Sequence, residues 1–209
     1  MKILIADDHP VVREGLIQIL KRLPEVAEIE EVTTGTEALK NIKGNHYDCV
    51  ILDISLPGMS GLEVLKNLRI QNIVTPVLVL SMHPEEQFAV RALKLGASGY
   101  VTKDRAAEEL IIAINKISSG KKYVSSELAE YMASSIDYKY KELVQEKLTD
   151  REFQVMIHLA RGKSPKEISS ELNISTKTVS THRANILEKM AMKNNSELVI
   201  FAMKNFLIE

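Results

Sequence analysis

The 209 residues allow one large or two ordinary domains, and 45% hydrophobic content can build a core in each of two. A net charge of −1 says little as a total, and one cysteine excludes an internal disulfide. The opening Met1-Lys2-Ile3 runs straight into a strand pattern, and the longest apolar runs fall far short of a membrane span, so neither a secretory signal nor a membrane helix is expected and a cytoplasmic protein follows.

Strand and helix patterns alternate up to about Gly120. Five strands are predicted at roughly 2–6, 28–32, 49–53, 77–81 and 99–102. Short runs rich in Val, Ile and Leu, with no polar alternation and helical stretches between them, are the mark of parallel strands buried on both faces. The second, Glu28-Ile29-Glu30-Glu31-Val32, is unusually acidic. Cys49, at the start of the third strand, reads as a small core residue. The first helix opens on Pro10, favourable in a first turn, and carries Val12, Leu16, Ile19 and Leu23 at helical spacing. The last helix of this half does the same with Leu110, Ala113, Ile114 and Ile117. A doubly wound α/β domain over 1–120 follows. Residues 121–147 form a polar linker, with Ser126 to Ser135 helical and Asp137 to Lys147 a charged connector.

The remainder, 148–209, is a set of short helices. Thr149-Asp150-Arg151-Glu152 and Ser164-Pro165-Lys166-Glu167 are capping boxes, the first followed by Phe153, Met156, Ile157 and Ala160 on one face, the second by Ile168 and Leu172. Asn173-Ile174-Ser175 is a tight turn, and Ser175 caps a helix through Val179, His182, Ile186 and Met190. Two helices joined so closely, the second bearing Lys177, Ser180, Thr181, His182, Arg183 and Asn185 early on, have helix-turn-helix form. Seven basic against three acidic residues between Arg161 and Lys193 is a modest excess, by itself more often a solvated face than a binding surface. A final helix from Ser196 puts Val199, Ala202, Met203 and Phe206 on one face.

In the first half the acids Asp7, Asp8 and Asp53, the hydroxyl of Ser81 and the ammonium of Lys103 all stand at carboxyl ends of predicted strands, the edge where open α/β folds bind ligands. Carboxylates crowded in a low-dielectric site repel unless a cation joins them, and a few hard oxygen ligands with room for water suit Mg2+. Lys103 and Ser81 are then left to meet an anion. His9 and His83 flank this edge and read as solvated loop residues, while Pro57, Gly58 and Gly61 shape the loop after Asp53.

With Asp7-Asp8, Asp53, Ser81, Tyr100 and Lys103 at successive strand ends, the first half resembles a response-regulator receiver domain. The second half, with Leu148-Thr149-Asp150-Arg151-Glu152, Lys166-Glu167-Ile168 and the run from Thr178 to Ile186, is similar to a LuxR-type DNA-binding domain. The pair resembles NarL/FixJ-type response regulators over all but the connector. That resemblance implies a flavodoxin-like strand order 2-1-3-4-5, Asp53 as phosphoacceptor, Asp7 and Asp8 as the acidic pair for Mg2+, and the Ser55 backbone carbonyl as a further ligand. Ser81 would be the switch hydroxyl and Tyr100 the switch aromatic, swinging inward after phosphorylation. The implied partners are a sensor histidine kinase, docking on the first helix, where Glu14, Lys21 and Arg22 read as surface decoration, a second copy of the chain on phosphorylation, promoter DNA and RNA polymerase.

The residue types agree with that chemistry. A carboxylate attacking phosphorus approaches a negatively charged donor, so a metal and Lys103 offset repulsion. The fourth helix, fifth strand and fifth helix, about 85–117, would carry the signal. For DNA, Arg183 and Lys177 would neutralise phosphate or read guanine, Ser180 and Thr181 would meet bases or phosphate, and His182 and Asn185 would contact the backbone. An aspartyl phosphatase competes with this reading, but such enzymes commonly need a second acid two residues on, where Ser55 stands; a receiver without phosphate chemistry would not need the full acid set. A transcription regulator, not an enzyme, is expected.

Overall fold

The computed structural model of the chain describes residues 1–135, 147–204 and 207–208. Its first part alternates β1 (Lys2–Ala6), α1 (Pro10–Leu20), β2 (Glu28–Val32), α2 (Gly35–Gly44), β3 (Cys49–Asp53), α3 (Gly61–Ile70), β4 (Val77–Ser81), α4 (Glu85–Lys94), β5 (Gly99–Thr102) and α5 (Ala106–Ser118). The five strands pair in parallel in the order β2-β1-β3-β4-β5, with Ile3 opposite Cys49, Val50 opposite Val77 and Leu78 opposite Gly99. Winding therefore reverses between β1 and β3, which opens a crevice at their carboxyl ends.

Every residue of β3 and β4 is buried, which explains why these strands show no polar alternation. One sheet face, carrying Ile3, Ile5, Cys49, Ile51, Leu78 and Leu80, packs with Leu16 and Leu20 of α1 and with Leu110, Ala113, Ile114 and Ile117 of α5. The alternate set, Leu4, Val50, Leu52 and Val79, is equally buried. Truncating one of these leucines to alanine costs about 2–5 kcal/mol, since a closed core cannot collapse into the void. The acidic β2 is tolerated because it is an edge strand in which Val32 alone is buried. Lys2 across the ladder reaches both Glu28 (3.1 Å) and Glu30 (2.5 Å), and the Tyr47 hydroxyl donates to Glu30. Charge on an edge also discourages pairing with another chain.

The chain divides into two compact units, Met1–Glu130 and Tyr131–Glu209. The segment read as linker thus begins within the first unit: the Tyr123 amide donates to the Ser98 carbonyl (2.8 Å), a parallel bridge joins Gly99 to Tyr123, and α6 (Ser126–Ser135) follows. The connector from Asp137 lies, up to residue 146, outside the described residues.

The second unit contains α7 (Asp150–Ala160), α8 (Pro165–Glu171), α9 (Thr176–Lys189) and α10 (Asn195–Lys204). Both anticipated capping boxes are formed, Thr149 with Glu152 and Ser164 with Glu167, and Ser175 accepts from the Thr178 amide. Asn173 takes the left-handed conformation (φ 50°) that the α8–α9 turn needs. All of α7 is buried, not one face of it. Three of its polar side chains are held by partners: Arg151 donates to Gln154 and to the Leu172 carbonyl, and Lys189 reaches Glu152 at 2.6 Å. His158 is 4% exposed. Burial, aided by the positive charges of Lys163, Arg161 and Arg151, pushes its pKa down to about 4. Glu171 stands 3.2 Å from its Nδ1 but lies closer to Lys163 (2.5 Å), so its charge is already engaged.

The expected packing face of the final helix needs correction. Leu198 and Ala202 are fully buried and Leu207 nearly so, whereas Val199 is half-buried and Met203 is 53% exposed. Leu198 and Ala202, four residues apart, set the helix phase, and at about 100° per residue this turns Met203 to solvent. Phe206 lies outside the described residues.

Candidate functional site

Parallel pairing delivers the ends of β1, β3, β4 and β5 to one edge of the sheet. There Asp7, Asp8, His9 and Asp53 each bring a ligand atom to within 4.8 Å of the others. The Lys103 ammonium lies 2.7 Å from Asp7 Oδ2 and 2.8 Å from Asp53 Oδ2, with all three side chains at least 96% buried. The Ser55 amide donates to Asp53 Oδ1 (3.2 Å). Gly61 is required here, because a Cβ on it would stand 2.1 Å from the Asp53 carbonyl oxygen; α3 can begin this close to the acid only without a side chain.

One ammonium faces three carboxylates, so the pocket keeps a negative surplus. Burial, together with Asp7, pushes the Asp53 pKa up against the pull of Lys103. Burial also opposes the Lys103 ammonium, but Asp53 and Asp7 outweigh it and hold its pKa above the ordinary lysine range. Oxygen donors in negative surplus, with Asp8 still partly open, fit a hard divalent cation.

The loop carrying the acids is held from two sides. The Asp7 carboxylate accepts from the His9 amide (2.8 Å), while Arg13 of α1 donates from Nη1 to the Asp7 carbonyl (2.8 Å) and from Nε to Glu31 (3.0 Å). Glu14, Lys21 and Arg22 stood out on this helix in the sequence; Arg13 did not, and no spacing rule signals an arginine that folds back onto a strand end. His9 is exposed, as expected, yet its Nδ1 lies 3.1 Å from Asp7 and 2.9 Å from Asp8.

Ser81 and Tyr100 form a second group, around His83. The His83 amide donates to Ser81 Oγ (3.0 Å), and its carbonyl accepts from the Tyr100 hydroxyl (2.8 Å). His83 is therefore not a solvated loop residue: it is 6% exposed, its ring 4.6 Å from that of Phe88 on α4, where apolar packing outweighs loop solvation. Tyr100 is fully buried, already turned inward. The Lys103 amide donates to the Ser81 carbonyl (2.8 Å), which ties the two groups together.

In the second unit the six α9 residues separate. Lys177, Ser180 and Thr181 are exposed on one stripe, joined by Ala184; His182, Arg183 and Asn185 are half-buried at its flanks. Ser180 and Thr181 bond back to the carbonyls of Thr176 and Lys177 (both 3.1 Å), and Arg183 Nε donates to Asn195 Oδ1 (2.8 Å). Val179, Ile186 and Met190 are buried on the opposite face. Ala184 escaped the sequence reading because it carries no polar group, yet its small side chain lets a surface approach the helix closely. Lys163 and Lys189 are engaged by Glu171 and Glu152, which narrows the available positive charge. No helix among the described residues is long and apolar enough to cross a membrane.

Comparison with known proteins bears on both units. Residues 3–115 match the response regulator receiver domain family, and residues 146–202 match the bacterial regulatory proteins of the luxR family. The chain is 32% identical over 206 residues to the response regulator UvrY of Escherichia coli K12, covering 98% of this chain and 94% of that protein. It is 37% identical over 196 residues to the transcriptional regulatory protein UhpA of the same organism, covering 94% of each. Among solved structures, RcsB of Salmonella enterica serovar Typhimurium, bound to promoter rprA with the phosphomimetic BeF3−, superposes with a TM-score of 0.63 at 25% identity, covering 96% of this chain and 98% of that one. The chain belongs to the NarL/FixJ family of response regulators, with a receiver domain followed by a LuxR-type domain.

Proposed function

We propose that this regulator controls transcription through phosphorylation of Asp53 by a sensor histidine kinase, with Mg2+ in the acid pocket, and that the phosphorylated chain dimerises on promoter DNA. The observation that carries this reading is the meeting of Asp7, Asp8, Asp53 and Lys103 at one buried sheet edge. Promoter binding puts the work in the cytoplasm. The domain limits that suit it are 1–120, 121–147 and 148–209.

In the transfer step an Asp53 carboxylate oxygen attacks phosphorus in line, the P–N bond to the kinase imidazole breaks, and the imidazole keeps the electron pair and takes up a proton. Mg2+, held by Asp7, Asp8, Asp53 and the Ser55 carbonyl, would neutralise charge on the transferring oxygens. Lys103 supplies a fixed positive charge beside Asp53, and the depth of the pocket makes that charge count for more than it would in water. Hydrolysis of the acyl phosphate by water returns Asp53 and resets the switch, so the chain acts as a phosphoryl acceptor and not as a turnover enzyme. Phosphoryl oxygens on Asp53 would recruit Ser81 and Lys103, changing the loop that Ser81, His83 and Tyr100 hold together.

On the DNA side, the stripe of Lys177, Ser180, Thr181 and Ala184 is the part of α9 suited to enter the major groove, while Arg183, His182 and Asn185 at its flanks suit phosphate. One copy offers few cations, so two copies on two half-sites roughly double the phosphate contacts. The direct experiment is labelling with a radioactive small phosphodonor and Mg2+. Wild-type protein takes up label; undiminished uptake by Asp53→Asn rejects the reading.

A further inference from the structure

The start of α6 is built onto the switch face by contacts that lead back to Ser81. Ser125 is 4% exposed and is the residue from which α6 begins: its hydroxyl accepts from the Leu128 amide (3.0 Å) and its carbonyl from Ala129 (3.0 Å). That same hydroxyl donates to the carboxylate of Glu85, which is 6% exposed. Glu85 is the first residue of α4, directly after the Ser81–Pro84 turn in which His83 holds Ser81 by its amide and Tyr100 by its carbonyl. Two tethers lie alongside. Tyr123 extends the sheet edge next to Gly99, where a Cβ would stand 3.0 Å from that of Tyr123, so the approach depends on glycine. Arg105 bridges Glu109 of α5 (2.6 Å) and Glu127 of α6 (3.4 Å).

From this continuity we infer that the Glu85–Ser125 bond is a latch carrying the state of the phosphoacceptor pocket into α6, the helix in which the chain passes from one compact unit to the next. The inference rests on the phosphoacceptor reading of Asp53. When Ser81 leaves the His83 amide for a phosphoryl oxygen, the turn shifts and Glu85, four residues on, is drawn from Ser125. The hydroxyl loses the partner that fixes its rotamer, and the cap over the first turn of α6 loosens, while Tyr123 and Arg105 stay as the pivot. Both Glu85 and Ser125 are buried, so water does not readily replace the broken bond.

Hydrogen exchange across 126–130 in the full chain, with and without beryllofluoride and Mg2+, tests the latch, and the 19F signal of bound beryllofluoride reports the pocket separately. In wild type, exchange across 126–130 should rise roughly fivefold on binding, the scale of a lost helix cap. In Glu85→Ala it should already be raised and change by less than about twofold. Ser125→Ala should behave likewise, and Ser125→Thr, which keeps the hydroxyl, should restore the response. Bound beryllofluoride with unchanged or slower exchange in wild type, or a wild-type response in Glu85→Ala, overturns the latch alone. No bound 19F signal overturns the phosphoacceptor reading and the latch with it.

Discussion

The acid pocket and the exposed stripe of α9 use charge in opposite ways. In the pocket the central charges are buried and hold one another, Lys103 between the carboxylates of Asp7 and Asp53, and the Asp7 loop is tied by His9 and Arg13. On the α9 stripe Lys177, Ser180 and Thr181 face water, and the two hydroxyls bond back to their own helix. A buried constellation loses most of its function with one member, whereas an exposed one loses it in increments. Chemistry at one atom needs the first arrangement, and recognition along a duplex needs the second.

The largest expected effect is in the pocket. Asp53→Asn keeps shape and removes the proposed nucleophile, so labelling by a phosphodonor should vanish; residual labelling would show that another carboxylate accepts the phosphoryl group. Next comes the second unit's response to acid. His158 is held neutral in the fold, with its pKa lowered from 6.5 to about 4, so its contribution to stability is fully present above pH 6.5 and is lost as pH falls toward 4. Between pH 7 and pH 5 the loss should be about 2 kcal/mol, read by denaturant unfolding of the full chain, and His158→Asn should flatten that slope. A smaller effect is expected on α9: Lys177→Ala should weaken binding to promoter DNA several-fold and reduce the salt slope by about 1, because one cation is lost from the surface that meets the duplex. An unchanged slope would remove Lys177 from the interface. Smallest is Arg13→Ala, which should raise the Mg2+ concentration for half-maximal labelling a few-fold and leave the rate at saturating Mg2+ intact. Arg13→Lys should recover part of the loss. A fall in the saturated rate instead would place Arg13 in the chemistry and not in holding the loop.

The five strands and the caps of the second unit were legible because each has a local signal, an apolar run or a Ser/Thr with Glu three residues on. The convergence of Asp7, Asp53 and Lys103 was legible because parallel topology turns strand ends into neighbours. What stayed hidden depends on contacts that no local pattern encodes. His83 is buried because Phe88, five residues later, comes back under it, and Arg13 matters through a backbone carbonyl that any residue would present. Tyr100 was expected to turn inward only after phosphorylation, whereas the His83 carbonyl already holds its hydroxyl in the buried position, a contact no sequence pattern encodes. The phase of α10 was missed by one position because Leu198 and Val199 are both apolar, and only the shape of the core chooses between them.

Cys49 is fully buried in β3, and burial pushes its thiol up to about 12. At neutral pH it is a protonated sulfur without access to reagents, in a chain that has no other cysteine. A cysteine introduced at any exposed position, Lys177 among them, would therefore be the one reactive sulfur on the surface. Each such variant would take a single fluorophore or spin label, and pairs of them would turn the native sequence into a ruler for following the two units through a signalling cycle.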